Sequence, residues 1–158
     1  MRPRSMAKAL VAGCGVCSLA GCLASCVAHP VGPARTYAGY EGKAVTSAEA
    51  AQSSVATVQL VASTAAAGKA FGPYTVVSVS EQEDGLSAVE GTFASIQPPD
   101  RRADALRDEL VAILSSAVDH VADVRIAARR GDLADLDRVA APLRADAAAL
   151  DAFVARHG

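Results

Sequence analysis

The clearest pattern in the chain lies between Asp100 and Gly131 and reads DRRADALRDELVAILSSAVDHVADVRIAARRG. Its apolar residues recur every three or four positions, the period of one face of an α-helix. They are Leu106, Leu110, Ile113, Ala117, Val121, Val124 and Ala128. Asp100 is a good N-cap, Gly131 is typical just beyond a helix C-terminus, and the acids near the start and arginines near the end suit the helix dipole. The stretch predicts one long amphipathic helix.

A second helix is predicted upstream, from about Thr46 to Lys69. Thr46 and Glu49 have the spacing of a capping box, in which each side chain accepts from the backbone amide of the other residue. The Ser, Thr and Val content also allows a strand over residues 55–62, but the three-and-four spacing of the apolar residues favours a helix.

Two more segments complete the pattern. One runs from about Pro73 to Ile96, and the last begins at Asp132, directly after Gly131, with a kink predicted at Pro142. Such short connections make neighbouring helices antiparallel. We therefore expect an all-α fold, an up-down-up-down four-helix bundle over residues 44–158.

The first thirty residues have a different character. Arg2, Arg4 and Lys8 precede an uncharged stretch from Ala9 to Ala28, and a basic start before a short apolar run is typical of a secretory signal peptide. All four cysteines lie in this run, at Cys14, Cys17, Cys22 and Cys26. The rest of the chain therefore has no disulfide framework. Cys14 and Cys17 have the Cys-x-x-Cys spacing, but no His or acid near this pair favours a redox or zinc role for it.

Leu19-Ala20-Gly21-Cys22 resembles the lipobox of bacterial lipoprotein precursors, and so does Leu23-Ala24-Ser25-Cys26. The resemblance implies that the cysteine receives a diacylglyceryl group and that a signal peptidase cuts just before it. We favour Cys22, because the 13 residues from Ala9 to Gly21 fit the usual length of the apolar region, and Cys26 is the runner-up. Residues 1–21 are then a signal peptide, and residues 22–43, rich in Pro and Gly, are the lipidated cysteine and a flexible tether.

An uncleaved transmembrane anchor over residues 9–28 is the alternative. Most of these residues are Ala, Gly, Ser and Cys, which contribute little to membrane insertion. Both interpretations leave Arg2, Arg4 and Lys8 in the cytoplasm and place the rest of the chain outside. We therefore expect a lipid anchor in the cell membrane and a domain on its extracytoplasmic face.

Nucleic acid is not an expected partner. Once the first 21 residues are removed, 12 basic residues face 17 acidic ones, and aromatic residues make up only 4% of the chain. Binding to phosphates needs excess positive charge, and stacking on bases needs aromatic side chains. The expected partners are instead the membrane, through a diacylglyceryl cysteine, and an envelope protein or ligand that the sequence does not identify.

One cluster could carry chemistry: His120 with Asp119 and Asp123, completed by His157 if the last helix ends nearby. It gives an alternative function, a metal-binding or enzymatic helical bundle. The plainer interpretation is two solvated acids beside a histidine at the edge of the core. The acidic group Glu81, Glu83 and Asp84 lacks the alternating spacing of a calcium loop.

No catalytic motif supports an enzyme, so we expect no catalytic, metal or cofactor site. The expected function is a binding, scaffold or sensory accessory of the cell envelope. In composition and layout the predicted domain also resembles small Ala- and Arg-rich helical lipoproteins of unknown role from high-GC bacteria. That resemblance implies no site residues.

Overall fold

A computed structural model describes residues 33–158 of the chain. The predicted signal peptide, Cys22, Cys26 and the tether up to residue 32 lie outside the described residues. Between residues 33 and 158 the chain forms helices and no strand, which confirms the all-α fold class and shows that the strand alternative for 55–62 is wrong. The helices are α1 (Tyr37–Ala66), α2 (Gly72–Ala94), α3 (Arg101–Arg130), α4 (Leu136–Val139) and α5 (Leu143–His157), with a 3₁₀ turn at Leu133–Asp135.

Helix α1 begins earlier than predicted. Its N-cap is Thr36, whose Oγ1 accepts from the Gly39 amide at 3.2 Å, so the last part of the predicted tether 22–43 is helical. The predicted cap Thr46 lies inside the helix and donates to the Gly42 carbonyl. The early start is explained by packing, because it brings Tyr40 into the core, where its ring centroid lies 5.5 Å from that of Phe93.

Helix α3 has the predicted ends. Asp100 Oδ1 accepts from the Ala103 amide at 2.9 Å, and Gly131 adopts a left-handed conformation with φ of 83°. The predicted apolar stripe is buried, with one change: Ile113 is half-buried, and Leu114 takes its place in the core.

The last predicted helix is interrupted rather than kinked. After the 3₁₀ turn, α4 makes a single turn, residues 140–142 break the helix, and α5 follows. Pro142 has no amide hydrogen to donate, so a continuous helix would lose a hydrogen bond there. Leu136 and Leu143 remain fully buried on either side of the break, so both short helices still face the core.

Side-chain contacts show that α2 runs antiparallel to α3 and that α1 runs antiparallel to α5. Between α2 and α3 the pairs are Glu83 with Arg125, Glu90 with Ser115, and Ala94 with Arg107. Between α1 and α5 they are Glu41 with His157 and Gln52 with Asp151. Helix α1 packs against all the other helices, whereas α2 packs mainly against α1 and α3.

These contacts define two ends of the described unit. At the entry end α1 and α3 begin and α2 and α5 finish, and here Arg102 lies over the Tyr37 ring. At the far end α1 and α3 finish and α2 begins, and here Leu133 lies beside Gly72. The core that joins the two ends is built largely from Ala, Val and Leu, and small side chains allow helices to approach closely. None of the helices between residues 33 and 158 is long and apolar enough to cross a bilayer.

Candidate functional site

His120 pairs with an acid on another helix. Its Nδ1 atom lies 2.6 Å from Oδ2 of Asp146, in the first turn of α5. The other carboxylate oxygen of Asp146 accepts from the Ser116 hydroxyl at 2.8 Å. Asp146 is only 5% exposed, whereas about a third of the His120 side chain is exposed. We call Ser116, His120 and Asp146 the Asp146 cluster.

The local sequence explains this geometry. Ser116 and His120 are four residues apart, so they lie on the same face of α3, one above the other. Asp146 lies at the start of α5, where the helix dipole favours a negative charge. The cluster therefore forms where the first turn of α5 packs on the middle of α3.

The structure does not assemble the predicted cluster of His120, Asp119, Asp123 and His157. Asp119 and Asp123 lie on the exposed side of α3, and the acid that His120 contacts is Asp146. His157 lies at the entry end, beside Glu41 and Glu109. Within residues 33–158 no group of three His, Cys, Asp or Glu side chains is arranged to hold a metal ion.

The Asp146 cluster contains the three residue types of a Ser-His-Asp catalytic triad, but its hydrogen bonds do not connect them in the sequence Ser to His to Asp. Asp146 engages Nδ1 of the imidazole, which leaves Nε2 as the nitrogen that could exchange a proton with an outside group. A serine nucleophile would have to be hydrogen-bonded to the histidine, but the Ser116 hydroxyl donates to Asp146 instead. The arrangement is suited to fixing α5 on α3.

A second polar cluster lies at the entry end and joins three helices. His157 Nδ1 on α5 lies 3.1 Å from Oε1 of Glu41 on α1, and His157 Nε2 lies 3.8 Å from Oε2 of Glu109 on α3. The Tyr37 hydroxyl donates to Glu41 Oε1 at 2.9 Å. The hydrogen bonds from His157 and Tyr37 hold the pKa of Glu41 below its ordinary value.

The acidic group on α2 has a partner on the neighbouring helix. Glu83 forms an ion pair with Arg125 of α3, and this hydrogen bond raises the pKa of the Arg125 guanidinium. Glu81 and Asp84 lie on the exposed side of the same helix. The group is therefore a charged surface of α2, and one of its members, Glu83, is linked to α3.

Two shallow grooves lie beside α4. One, of about 300 Å³, lies between α1 and the break before α5, and the Nε2 atom of Gln59 is buried in its lining without a hydrogen-bond partner. The other, of about 410 Å³, lies between the end of α3 and α4 and contains arginines and aspartates together. Both grooves are open to solvent, and neither includes His120 or His157.

The large apolar side chains that remain exposed gather toward the far end. They are Leu60, Phe71, Tyr74, Val77 and Ile126. Leu60 is 67% exposed near the end of α1, and Phe71 is 70% exposed just before α2. Their exposure is not apparent from the sequence, because an apolar residue in a helical pattern is ordinarily assigned to the core. Phe71 and Tyr74 lie side by side, with ring centroids 6.0 Å apart, whereas Leu60 and Ile126 line the two grooves. Exposed apolar side chains of this size are found at interaction surfaces.

Comparisons with known proteins do not assign either cluster or this apolar end to a known type of site. No family model matches the chain, and no curated protein or solved structure shows significant similarity to it.

Proposed function

We propose that the chain is an exported lipoprotein, anchored on the extracytoplasmic face of the cell membrane, whose helical domain acts as a non-catalytic binding, scaffold or sensory element of the envelope. The observation that carries the proposal is the lipobox-like sequence ending at Cys22, preceded by a basic start and a short apolar run. Cys26 remains the runner-up for lipid attachment.

The acyl chains on the cysteine must provide the attachment to the membrane. A diacylglyceryl cysteine carries two acyl chains, and two chains give lasting attachment at about 0.8 kcal/mol per buried methylene. After cleavage before Cys22 the chain is net acidic, so it gains nothing from anionic head groups. The bound chain is therefore held by its acyl groups.

The early start of α1 shortens the tether. If Cys22 is the first residue of the mature chain, the segment to Thr36 spans 14 residues. If this segment is a flexible tether, as we propose, its ends lie about 20 Å apart on average. The entry end of the helical unit is therefore held near the membrane surface.

We propose the up-down-up-down four-helix bundle as the arrangement of the domain, with α4 and α5 together forming the fourth segment. The antiparallel contacts of α2 with α3 and of α1 with α5 support it. The buried residues Leu136 and Leu143 support it as well, because both halves of the interrupted segment face the same core.

A binding role is favoured over catalysis by what the helices expose. In the Asp146 cluster the Ser116 hydroxyl donates to Asp146 and not to His120. The serine is therefore not activated as a nucleophile. The far end, in contrast, leaves Leu60, Phe71 and Tyr74 in solvent, where binding to another surface would bury them.

The anchoring proposal is tested by mass spectrometry of the amino-terminal peptide from isolated membranes. We expect a peptide that begins at Cys22 and carries the mass of acyl groups. Cys22→Ala should abolish cleavage and acylation, and Cys26→Ala should leave both unchanged.

If the effects of the two variants are exchanged, Cys26 is the lipidated residue and the tether is four residues shorter. A purified product that keeps Met1, lacks acyl groups and fractionates with the cytosol would contradict the proposal.

A further inference from the structure

The groove between α1 and the break before α5 combines an apolar wall with polar side chains. Its volume of about 300 Å³ is at the lower end of the range for small-molecule sites. The lining includes the apolar residues Ala56, Leu60 and Ala140 and the polar residues Gln59, Asp137 and Arg144. We call it the α1–α4 groove. Its size and mixed lining suit a small ligand that has both apolar and polar parts.

Gln59 supplies the groove with a donor that lacks an acceptor. Its Nε2 atom is buried and has no hydrogen-bond partner among residues 33–158. A buried amide donor without an acceptor is unfavourable, and native structures normally avoid it. The terminal torsion angle of a glutamine side chain is soft, so a small rotation turns Nε2 toward the groove. A ligand atom that accepts hydrogen bonds there would satisfy this donor.

Asp137 and Arg144 bring opposite charges to the lining without closing on each other. Arg144 Nη2 lies 3.7 Å from Asp137 Oδ1, beyond hydrogen-bond distance, and both side chains are more than half exposed. In the neighbouring pair, Arg138 Nε donates directly to Asp135 Oδ1 at 3.1 Å. An exposed ion pair as loose as that of Asp137 with Arg144 contributes little to stability. Each of its two charged groups therefore keeps hydrogen-bonding capacity for a third group.

The position of Arg144 is not explained by helix stability. It is the second residue of α5, where the positive end of the helix dipole disfavours a cation. The other basic residues of α5, Arg156 and His157, lie in its last turn, as the dipole favours. An anionic group bound beside Arg144 would compensate for its position, because the guanidinium and the start of the helix would both face a negative charge.

We propose that the α1–α4 groove binds the zwitterion of a free amino acid with an aliphatic side chain. The carboxylate accepts from Arg144 and from Gln59 Nε2, and the ammonium group donates to Asp137. The aliphatic side chain packs on the apolar wall. The charges match, because Asp137 and Arg144 are the two charged residues of the lining and have opposite signs.

The charges of the groove select against ligands that have only one of the two groups. A carboxylic acid without an amino group would place its negative charge near Asp137, and an amine without a carboxylate would place its positive charge near Arg144. Each unmatched charge weakens binding. An α-amino acid carries both groups on one carbon atom, which suits side chains whose charged atoms lie 3.7 Å apart.

An amino-acid ligand would deepen the proposed function, because it gives the binding or sensory domain a chemical class of ligand. It rests on the binding role of the domain and not on the lipid anchor. It also explains the exposure of Leu60, which is 67% exposed at the groove and would be partly covered by the side chain of the ligand.

The test is equilibrium dialysis of the purified full-length chain in detergent with radiolabelled L-leucine. We expect saturable binding of one leucine per chain with a Kd below about 1 mM. Two competitors probe the charges: 4-methylpentanoate, which is leucine without its amino group, and 3-methylbutylamine, which is leucine without its carboxylate. Each should compete about tenfold more weakly than unlabelled leucine, or worse.

Substitution of the two charged residues tests their roles. Arg144→Gln should lower the affinity for leucine by about tenfold or more, because it removes a charge-assisted hydrogen bond. Asp137→Asn should weaken leucine binding and remove the preference for leucine over 4-methylpentanoate. Arg138→Gln is the matched control, since this exposed arginine lines the other groove, and it should leave the affinity unchanged.

Gln59→Leu separates binding from stability. It removes the buried donor that lacks an acceptor, so it should raise the thermal stability of the unliganded chain. It should also lower the affinity for leucine several-fold, because the carboxylate loses a donor. A purely structural glutamine would not show this combination.

Three results would overturn the amino-acid site. They are the absence of saturable leucine binding, equal competition by leucine and 4-methylpentanoate in the native chain, and equal losses of affinity from Arg144→Gln and Arg138→Gln. Dialysis in detergent reports the groove whether or not the chain is acylated. A chain that binds leucine but lacks acyl groups would keep this inference and remove the anchor, and an acylated chain without leucine binding would do the reverse.

Discussion

At the scale of single residues, the burial of Asp146 has the clearest energetic meaning. Among the described residues it is the one charged side chain that is buried. Removing a carboxylate from water is costly unless its oxygens accept hydrogen bonds. Ser116 and His120 each supply a donor to one oxygen, so the three residues stabilise the fold only as a set.

We expect Asp146→Ala to destabilise the fold by about 2–4 kcal/mol, because it leaves the Ser116 and His120 donors without their acceptor. Urea denaturation followed by circular dichroism measures the change in the free energy of unfolding.

Asp119→Ala is the matched control, since it removes an exposed carboxylate next to His120. We expect it to change the free energy of unfolding by no more than about 0.5 kcal/mol. Similar losses for the two variants would contradict the role given to Asp146.

Sequence reasoning identified His120 but not its acid. The histidine was recognisable because it lies beside the apolar stripe of a strongly periodic helix. Its acid lies 26 residues away, beyond the helix break at Pro142, and the position of α5 along α3 depends on that break. The contact is a property of packing between helices, so the neighbours of His120 in sequence could not reveal it.

At the scale of elements, the boundaries of α1 and α3 show why some helix ends are predictable. Helix α3 has a charged outer side, so its apolar stripe begins and ends visibly in the sequence. Most of α1 has no such contrast, and both Thr36 and Thr46 have the chemistry of a cap. The choice of Thr36 follows from tertiary packing of Tyr40, which local sequence does not contain.

The two candidate N-caps of α1, Thr36 and Thr46, can be compared directly. We expect Thr36→Ala to lower the free energy of unfolding by about 1 kcal/mol, because it removes the N-cap acceptor. Thr46→Ala, inside the helix, should change it by less than about 0.5 kcal/mol or raise it slightly, since Ala is the better helix former. Thermal unfolding of the two variants measures the difference. A larger loss of stability from Thr46→Ala than from Thr36→Ala would place the start of α1 near Thr46.

Two glycines should respond to alanine with opposite signs. Gly131→Ala should cost about 1–2 kcal/mol, because Gly131 has a φ of 83°, which an L side chain rarely adopts. Gly91→Ala, inside α2, should stabilise by about 0.5–1 kcal/mol. A Cβ atom at either position meets nothing within 4 Å, so the difference reports backbone conformation alone. Chemical denaturation checks it, and equal signs would contradict the left-handed end of α3.

At the scale of the whole molecule, the entry-end cluster joins the first, third and last long helices. His157, Glu41 and Glu109 come from α5, α1 and α3, so their ion pairs hold together segments that are distant in the chain. The helical class and the approximate positions of its segments could be predicted from periodicity. The contacts of His157 with Glu41 and Glu109 could not be predicted in this way. Periodicity assigns residues to one face of a helix, but it does not show how far one helix is shifted along another.

The cluster predicts a pH dependence. The folded-state pKa of Glu41 lies below its ordinary value of 4.5, chiefly because of the hydrogen bond with His157. A lowered carboxyl pKa contributes stability above pH 4.5 that is lost as the pH falls through the folded-state pKa. We therefore expect the native chain to be more stable than the Glu41→Gln variant at neutral pH, and this difference to shrink below pH 4.5. Thermal unfolding across that range measures it.

Tyr37→Phe is the graded control for this prediction, because it removes the second hydrogen bond to Glu41 and leaves His157 in place. Tyr37→Phe should lower the stability at neutral pH, as Glu41→Gln does, but by a smaller amount. A stability difference between the native chain and Glu41→Gln that stays constant down to pH 3 would contradict the assignment.

The packing of α1 against α5 has a consequence for synthesis. Gln52 and Asp151, which bond across this contact, are separated by 99 positions in the chain. The ribosome makes α1 before α5, so α1 lacks this neighbour until residues 143–157 have emerged. Until then, the apolar side that α5 will cover stays accessible to chaperones and proteases. Nascent chains that stop before residue 143 should be degraded rapidly.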